Sequence, residues 1–433
     1  MRILMMTNTY LPHVGGVARS VAAFSERFRA LGHEVLVVAP EFDGQDAEER
    51  DVVRVAAVQN FNGSDFSLML PDSGMLAEAT ERFQPHIIHA HHPFLMGSAA
   101  LRVAARLARP LVFTHHTMYE QYTHYAPGDS PLLKRFVAML STHYANACQR
   151  VFAPSESVAR LLAERGVETP VDVLPTGVRT ELFARGDGRG LRAALDLPRD
   201  AYVVGHVGRL APEKNLDFLG TALVGLLEHE PRAVALVIGG GPCQAELRAL
   251  FRTRGLAARS HVLGAFDHPL LASAYRAMDA FAFASHSETQ GMVLTEAMAA
   301  GVPVIALDAP GAREVVRDGV NGRLLASDAT TADFVAALDW HAAQDAATRQ
   351  RLRRAARATA QRFSLDACAR RALECYAEVS AAFQAPPRGS NALLDEVVAR
   401  IGAEWLVFKG IAGAAGRALA GEAPVGLTAA NDV

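Results

Sequence analysis

The chain has 433 residues, enough for two or three domains at roughly 100–200 residues each, and half of it is hydrophobic. Its 43 Lys and Arg face 46 Asp and Glu, a formal net charge of −3, which argues against a general nucleic-acid binder and confines any attraction to phosphate or membrane to local patches. A charged fraction of 21% excludes a disordered or fibrous chain, and no apolar run approaches the roughly 18–20 residues that cross a bilayer.

Met1-Arg2 leads straight into an apolar run too short for a signal-peptide core, and Arg2–Met6 reads as a first strand. Strand-like runs then alternate with helical periodicity, the pattern of a parallel α/β sheet. Strands are expected at Glu34–Ala39, His86–Ala90, Leu111–Thr114, Arg150–Ala153 and Val171–Leu174, with helices at Val17–Leu31, Gly97–Ala108, Leu132–Gln149 and Ser157–Arg165. Ser155 supplies an N-cap for the last of these. Pro175-Thr176-Gly177-Val178 interrupts the alternation and Gly186–Gly190 keeps it loose, which places a domain boundary there. The alternation restarts with strands at Tyr202–Val207, Ala233–Gly239, His261–Leu263, Ala280–Ala284, Val302–Leu307 and Gly322–Leu325. Two α/β domains of similar size with a cleft between them are expected. From Ala332 through Phe363 the sequence is nearly all helix, and after Ala385-Pro386-Pro387 it becomes Ala/Gly-rich. The four cysteines form no Cys-x-x-Cys motif, which speaks against a disulfide scaffold or a zinc site and fits a reducing cytosol.

Four loops fall where strands end, the edge at which open α/β sheets bind ligands. Gly15-Gly16, between the first strand and first helix, lets backbone N–H groups approach a phosphate or sugar; a purely structural turn explains it equally well. Arg209 and Lys214, five residues apart around a turn, suit convergence on one diphosphate, a forked guanidinium beside a point-charge ammonium; elsewhere on a chain they would read as two solvated cations. Gly239-Gly240-Gly241 permits either close ligand approach or just a tight turn. The fourth loop, Ser287 to Pro303, presents Glu288 beside Thr289-Gln290-Gly291 and then carries Glu296 on a helix, two carboxylates suited to the hydroxyls of a hexose and a ribose.

Gly15-Gly16, Gly208-Arg209…Lys214, Glu288…Glu296 and Ala299-Ala300-Gly301-Val302-Pro303, in this order over roughly residues 1–385, resemble the GT-B retaining glycosyltransferases of family 4. The resemblance implies an α/β GT-B fold of two Rossmann-like domains with parallel sheets facing a central cleft. It divides the chain into an acceptor-binding domain at 1–180, a nucleotide-sugar-binding domain at 181–365, a helix at 366–385 returning towards the first domain, and a tail at 386–433 that is a candidate for membrane association. It also implies that Arg209 and Lys214 hold the diphosphate, that Glu288 contacts the donor sugar and Glu296 the ribose. Backbone at Gly291, Met292 and Val293, with Gly240, would serve sugar and phosphate, and Gly15 and Gly16 would approach the diphosphate from across the cleft. Residues 88–97 (Ile-His-Ala-His-His-Pro-Phe-Leu-Met-Gly), Thr114–Glu120 with Tyr122, His124 and Tyr125, and Glu288-Thr289-Gln290-Gly291 are similar, more narrowly, to the diacylglycerol glucosyltransferases. His116 falls where the family keeps an active-site histidine that hydrogen-bonds the donor sugar, making His116, Arg209, Lys214 and Glu288 the candidate catalytic set.

His89, His91, His92, His115, His124 and His143 also crowd the first domain, and a His-rich region can bind metal. No Asp-x-Asp pair occurs anywhere in the chain, and the family's chemistry needs no bound metal, so polar or packing roles are expected for these and no cofactor beyond the donor substrate. Ser130–Pro154 holds Lys134, Arg135, Arg150 and His143 and no acid, beside an apolar stripe of Leu132, Leu133, Phe136, Val137, Met139 and Leu140. Periodicity alone favours an ordinary packed helix; the resemblance turns the reading towards an anionic membrane surface. Phe61–Leu70 and Trp405–Ile411 are further membrane candidates. The expected activity is transfer of a hexose, glucose in the first place, from a UDP-sugar to diacylglycerol by a cytoplasmic enzyme peripheral at the inner face of the cell membrane. The alternatives are a family 4 transferase acting on another lipid-linked or soluble glycan, such as a mannosyltransferase using GDP-mannose, and a non-catalytic sugar-nucleotide-binding protein.

Overall fold

The computed structural model describes residues 1–385 except 14, 43–44, 46–48, 59–67, 70–72, 121–129 and 287; the expected insertion loop at Phe61–Leu70, apart from the backbone of Leu68 and Met69, and the tail at 386–433 lie outside the described residues. The chain divides into two units, Met1–Pro175 together with the chain from Cys368, and Thr176–Ala367.

The first unit runs β1 (Arg2–Met6), α1 (Gly16–Ala30), β2 (Glu34–Pro40), β3 (Val52–Val55), β4 (Ala57–Val58), β5 (Leu68–Met69), α2 (Ser73–Phe83), β6 (Ile87–Ala90), α3 (Met96–Leu107), β7 (Leu111–Thr114), α4 (Pro131–Asn146), β8 (Arg150–Ala153), α5 (Glu156–Glu164) and β9 (Val171–Val173). Seven parallel strands form one sheet in the order β3-β2-β1-β6-β7-β8-β9, while β4 and β5 pair antiparallel. β1 is registered on both sides, Leu4 opposite Leu36 and Ile88, and its Ile3–Met6 are wholly buried because helices cover both faces of a parallel sheet. Ser155 caps α5 by accepting from the Val158 N–H at 3.3 Å, as its place after a strand predicts.

In the second unit α6 (Thr180–Ala184) and α7 (Gly188–Ala194) precede β10 (Tyr202–Val207), α8 (Leu216–His229), β11 (Ala233–Ile238), α9 (Gln244–Thr253), β12 (Ser260–Leu263), α10 (His268–Ala277), β13 (Ala280–Phe283), α11 (Met292–Ala299), β14 (Val304–Leu307), α12 (Ala312–Val315), β15 (Gly322–Leu325), α13 (Thr331–Ala342) and α14 (Ala346–Arg362). Six parallel strands lie in the order β12-β11-β10-β13-β14-β15. Alternate residues feed two cores: Val203, Leu236, Phe281 and Val304 enter one, Val204, Val237, Ala282 and Ile305 the other, the period-two signature of a strand buried on both faces. The stretch from Ala332 to Phe363, expected to be nearly all helix, is two helices, the second started by Asp345, whose carboxylate accepts from the Thr348 N–H at 2.6 Å.

α15 (Leu365–Ala382) begins in the second unit, where the Leu365 N–H donates to the Val178 carbonyl at 2.9 Å, and from Cys368 onward belongs to the first. Its Tyr376 is fully buried there, against Phe28, Phe152 and His89.

Candidate active site

In the second unit the chain leaves β10 for β11 and β12 on one side, then returns to β13 on the other. At such a switch point the loops leaving neighbouring strands diverge and open a crevice at their carboxyl ends. The loop after β10 carries the exposed Arg209 and a 3-10 turn, Pro212–Lys214. Asn215, at φ 54°, ends that turn, and its amide donates to the Ala284 carbonyl at the end of β13 (3.2 Å). The Ser285 hydroxyl donates to the Glu213 carbonyl at 3.3 Å. Loop and strand end are thereby tied, and Lys214 Nζ lies 2.5 Å from Glu288 Oε1 with both side chains less than a fifth exposed.

The loop holding Glu288 is rigidified from two directions. Gln290 takes the Thr176 backbone in a two-pronged grip, its Oε1 accepting from the N–H at 2.7 Å and its Nε2 donating to the carbonyl at 2.6 Å. Against its other side lies Gly311 (φ 84°), where a Cβ would come within 3.0 Å of the Glu288 Cβ. Gly291 (φ 68°) then turns the chain into α11, whose first residues Met292 and Val293 are half-buried. Glu296, one turn on, is 7% exposed and accepts from the Tyr275 hydroxyl at 2.8 Å. Motif reading found both glutamates and the neighbouring Gln290 but neither Tyr275 nor the grip of Gln290 on Thr176, because these pairs are 21 and 114 residues apart.

The triple glycine resolves into separate duties. A Cβ on Gly239 would run into the Gly208 carbonyl, and one on Gly241 into the Leu210 carbonyl, so both are fixed by the neighbouring loop. The Leu210 N–H donates to the Gly240 carbonyl at 2.9 Å. Gly240 itself is exposed, with nothing within 4 Å of the space a Cβ would occupy.

The first unit has its own switch point, between β1 and β6. Gly15 is the N-cap of α1, and Gly16, which opens the helix, is exposed with open space about it; Val14 between His13 and Gly15 is outside the described residues. The loops after β6 and β7 bring the histidines together. His91 Nδ1 and His116 Nε2 are 2.9 Å apart with their rings stacked. His89 bonds on both nitrogens, to the Tyr376 hydroxyl (2.6 Å) and the Thr114 hydroxyl (2.7 Å). His92 Nδ1 accepts from the Asn8 N–H at 3.1 Å. Burial pushes the imidazoles of His89 and His92 down to about 3 and that of His115 to about 4, and holds His91 and His116 well below the ordinary histidine range. The cluster is therefore neutral at physiological pH, and among the described residues no group of three His, Cys, Asp or Glu side chains is placed to hold a metal ion. Beside it Glu120 and Arg165 form an ion pair at 2.7 Å almost out of water. His124, Tyr122 and Tyr125 are outside the described residues.

α4 buries Ala138, Met139, Ser141, Tyr144 and Ala145, while Leu132 is 44% exposed and Leu133, Phe136 and Val137 are half-buried. Met139 packs with Phe136 and Leu140 in a small cluster of its own. No helix among the described residues is long and apolar enough to cross a membrane.

These two units, each with its loops at the carboxyl edge of a doubly wound parallel sheet, are the halves of a GT-B glycosyltransferase. The sequence profile described as Glycosyltransferase Family 4 matches residues 14–182 and that of Glycosyl transferases group 1 matches 189–359. The chain is 29% identical over 332 residues to the alpha-monoglucosyldiacylglycerol synthase of Streptococcus pneumoniae, covering 75% of each chain. It is 33% identical over 332 residues to a GDP-mannose-dependent alpha-mannosyltransferase of Mycobacterium tuberculosis, covering 75% of this chain and 83% of that one. Anabaena HepE, solved in complex with UDP, shares the fold at a TM-score of 0.68 and 23% identity over 87% of this chain and 100% of its own. The chain belongs to glycosyltransferase family 4.

Proposed function

We propose that the enzyme moves a hexose, glucose in the first place, from a UDP-sugar to the free hydroxyl of diacylglycerol with retention of anomeric configuration. The observation that carries the reading is the Lys214–Glu288 pair at the switch point of the second sheet, with the exposed Arg209 on the same loop as Lys214. An ammonium has three donors, so Lys214 can serve Glu288 and a phosphate oxygen together. As the bond from C1 to the diphosphate oxygen breaks, negative charge grows on the leaving group, and cations fixed beforehand stabilise it more in the transition state than in the ground state. A new bond from C1 to the acceptor oxygen forms on the same face, and the hydroxyl proton passes to the departing phosphate oxygen. No bound metal is required in this scheme. Glu288 takes hydroxyls of the sugar, Glu296 the ribose, and Gly240 and the α11 amino end the phosphates.

The acceptor side of the reading rests on the similarity to the pneumococcal synthase and on α4, which presents Leu132 beside Lys134 and Arg135. Each cation near an anionic surface adds about 1 kcal/mol of attraction, which suits an enzyme working at the inner face of the cell membrane. The similarity to the mannosyltransferase supports a second reading, GDP-mannose with another acceptor. Incubation with diacylglycerol vesicles and a panel of UDP- and GDP-sugars, with the lipid product identified by mass spectrometry, separates them. Glucosyldiacylglycerol from UDP-glucose is expected; transfer only from GDP-mannose, or only to a water-soluble acceptor, overturns the first reading, and tight nucleotide binding without transfer overturns both.

A further inference from the structure

The amino edge of the second sheet, opposite the crevice, carries positive charge that the transfer reaction does not use. α14 holds Arg349, Arg351, Arg353, Arg354, Arg357 and Arg362 and no acid. Of these, Arg353 and Arg357 are half-buried and stand close to the half-buried Arg192 and Arg276. One carboxylate answers the group. Asp279, the residue before β13, accepts from Arg192 Nη2 at 2.7 Å and the Val203 N–H at 3.0 Å on one oxygen, and from Arg353 Nη2 at 3.1 Å on the other. Arg276 donates Nη1 to the Ala300 carbonyl at the end of α11 (3.0 Å), while its Nε is buried without an acceptor. Arg357 lies so close to Gly301 that a Cβ there would stand 2.6 Å from its Nε and Nη2. Among the described residues the Arg357 side chain makes no ion pair or hydrogen bond. Burial, then the charges of Arg357 and Arg353, pulls the Arg276 guanidinium below the ordinary arginine range. Arginine still keeps its proton at any working pH, so the surplus cannot be shed that way. Four guanidiniums thus face one carboxylate and the carbonyl end of a helix, itself worth about half a charge.

We propose that Arg276, Arg353 and Arg357, backed by Arg192, form a binding site for a phosphate group at the amino edge of the second sheet. The fork of Arg357 and the unpaired Nε–H of Arg276 match the paired oxygens of a phosphate, which a point-charge lysine would not. β13 and β14 are four residues long, and at about 3.3 Å per residue they hold this site roughly 13 Å from the loops at the carboxyl edge. It is therefore distinct from the Lys214–Glu288 crevice and does not depend on the proposed transfer. The phosphate comes either from solution or from the headgroup of an anionic lipid; the chemistry that binds it is the same, and the two sources separate by experiment.

The test uses the full-length chain and inorganic phosphate, compared with sodium chloride at equal ionic strength. Phosphate is expected to bind by calorimetry and to raise the melting temperature more than chloride does. Both effects should survive in Lys214→Ala, and the affinity should fall about tenfold or more in Arg357→Gln. Without phosphate, Arg357→Gln is expected to melt at or above the wild-type temperature, because one repelling charge has gone. A lower melting temperature with phosphate binding untouched would make Arg357 a structural residue and overturn the proposal. Binding lost in Lys214→Ala but kept in Arg357→Gln belongs to the crevice and overturns it too. Should Arg357→Gln fold poorly, Arg276→Gln repeats the measurement at the neighbouring guanidinium. A second arm uses phosphatidylcholine vesicles with and without phosphatidic acid. Binding to the phosphatidic acid vesicles that Arg357→Gln loses assigns the site to a lipid headgroup. Equal vesicle binding by both chains, with the phosphate response lost in Arg357→Gln, assigns it to a soluble phosphate. If phosphate acts no differently from chloride and the vesicles do not distinguish the two chains, there is no such site.

Discussion

Where β10 and β13 part, the second unit sets a lysine against a glutamate, with an arginine on the same loop and a further buried glutamate on the next helix. Where β1 and β6 part, the first unit sets one uncharged imidazole against another, backed by hydroxyls, an amide N–H and a methionine sulfur. Both crevices arise from the same topology, a parallel sheet whose chain direction reverses in the middle. The difference lies in what each edge has been given to say to a ligand. Fixed charges answer a charged ligand and lose strength as salt rises; neutral donors and acceptors answer hydroxyls and are indifferent to ionic strength.

The contrast is broken most forcefully by acid. The first unit buries His89, His91, His92 and His115 and half-buries His116, all held below the ordinary histidine range, and the second has His206 and His341 pushed down to about 4. Each has a folded pKa below its unfolded value, so the unfolded chain binds the extra proton. Stability is complete above pH of about 6.5 and falls by about 1.4 kcal/mol per pH unit per histidine as pH drops towards the folded value. Hydrogen exchange at falling pH is expected to show the first unit opening well before the second; simultaneous loss, or the reverse order, contradicts the contrast.

Next in size is Lys214→Ala, which removes a preorganised cation and leaves Glu288 partly buried without its ion-pair partner. Turnover is expected to fall about a hundredfold or more, while melting of the first unit stays unchanged. Near wild-type kcat would remove Lys214 from the reaction. The glycines give a sharper pair. Gly239→Ala drives a Cβ into the Gly208 carbonyl and is expected to cost about 2 kcal/mol or more by urea unfolding. Gly240→Ala meets open space, so its unfolding midpoint should not move although its affinity for a nucleotide sugar, read by calorimetry, falls. Smallest is Tyr275→Phe, which deprives the buried Glu296 of one hydrogen bond and is expected to cost about 1–2 kcal/mol of stability in the second unit. An effect confined to the first unit would be unexplained by this geometry.

The sheets were readable because a parallel strand buried on both faces is a short apolar run, and Arg2–Met6, Leu111–Thr114, Arg150–Ala153 and Tyr202–Val207 begin and end where their sequences say. β3 escaped notice: as the edge strand it is only half-buried, and Arg54 in its middle, held by Glu49 at 2.6 Å, breaks the apolar run. The charged motif residues were equally visible, since a Gly-Arg turn or a pair of glutamates stands out in one dimension. Their partners were not. Glu288 and Lys214 are 74 residues apart, Gln290 and Thr176 114, His91 and Met5 86, and only strand order brings them together. The histidines were counted from the sequence, yet nothing in a run of His-Ala-His-His tells which ring nitrogen meets sulfur and which meets another ring.

The passage of α15 into the first unit sets an order of events at the ribosome. Tyr376, whose hydroxyl holds His89, is translated only after the whole of Thr176–Ala367. At about 5–20 residues per second, the nascent amino-terminal sheet waits tens of seconds for its final side chain, with His89 deprived of one partner meanwhile. The second unit, contiguous in the chain, has no such delay, so the half that carries the Lys214–Glu288 pair is complete before the half that carries the stacked imidazoles.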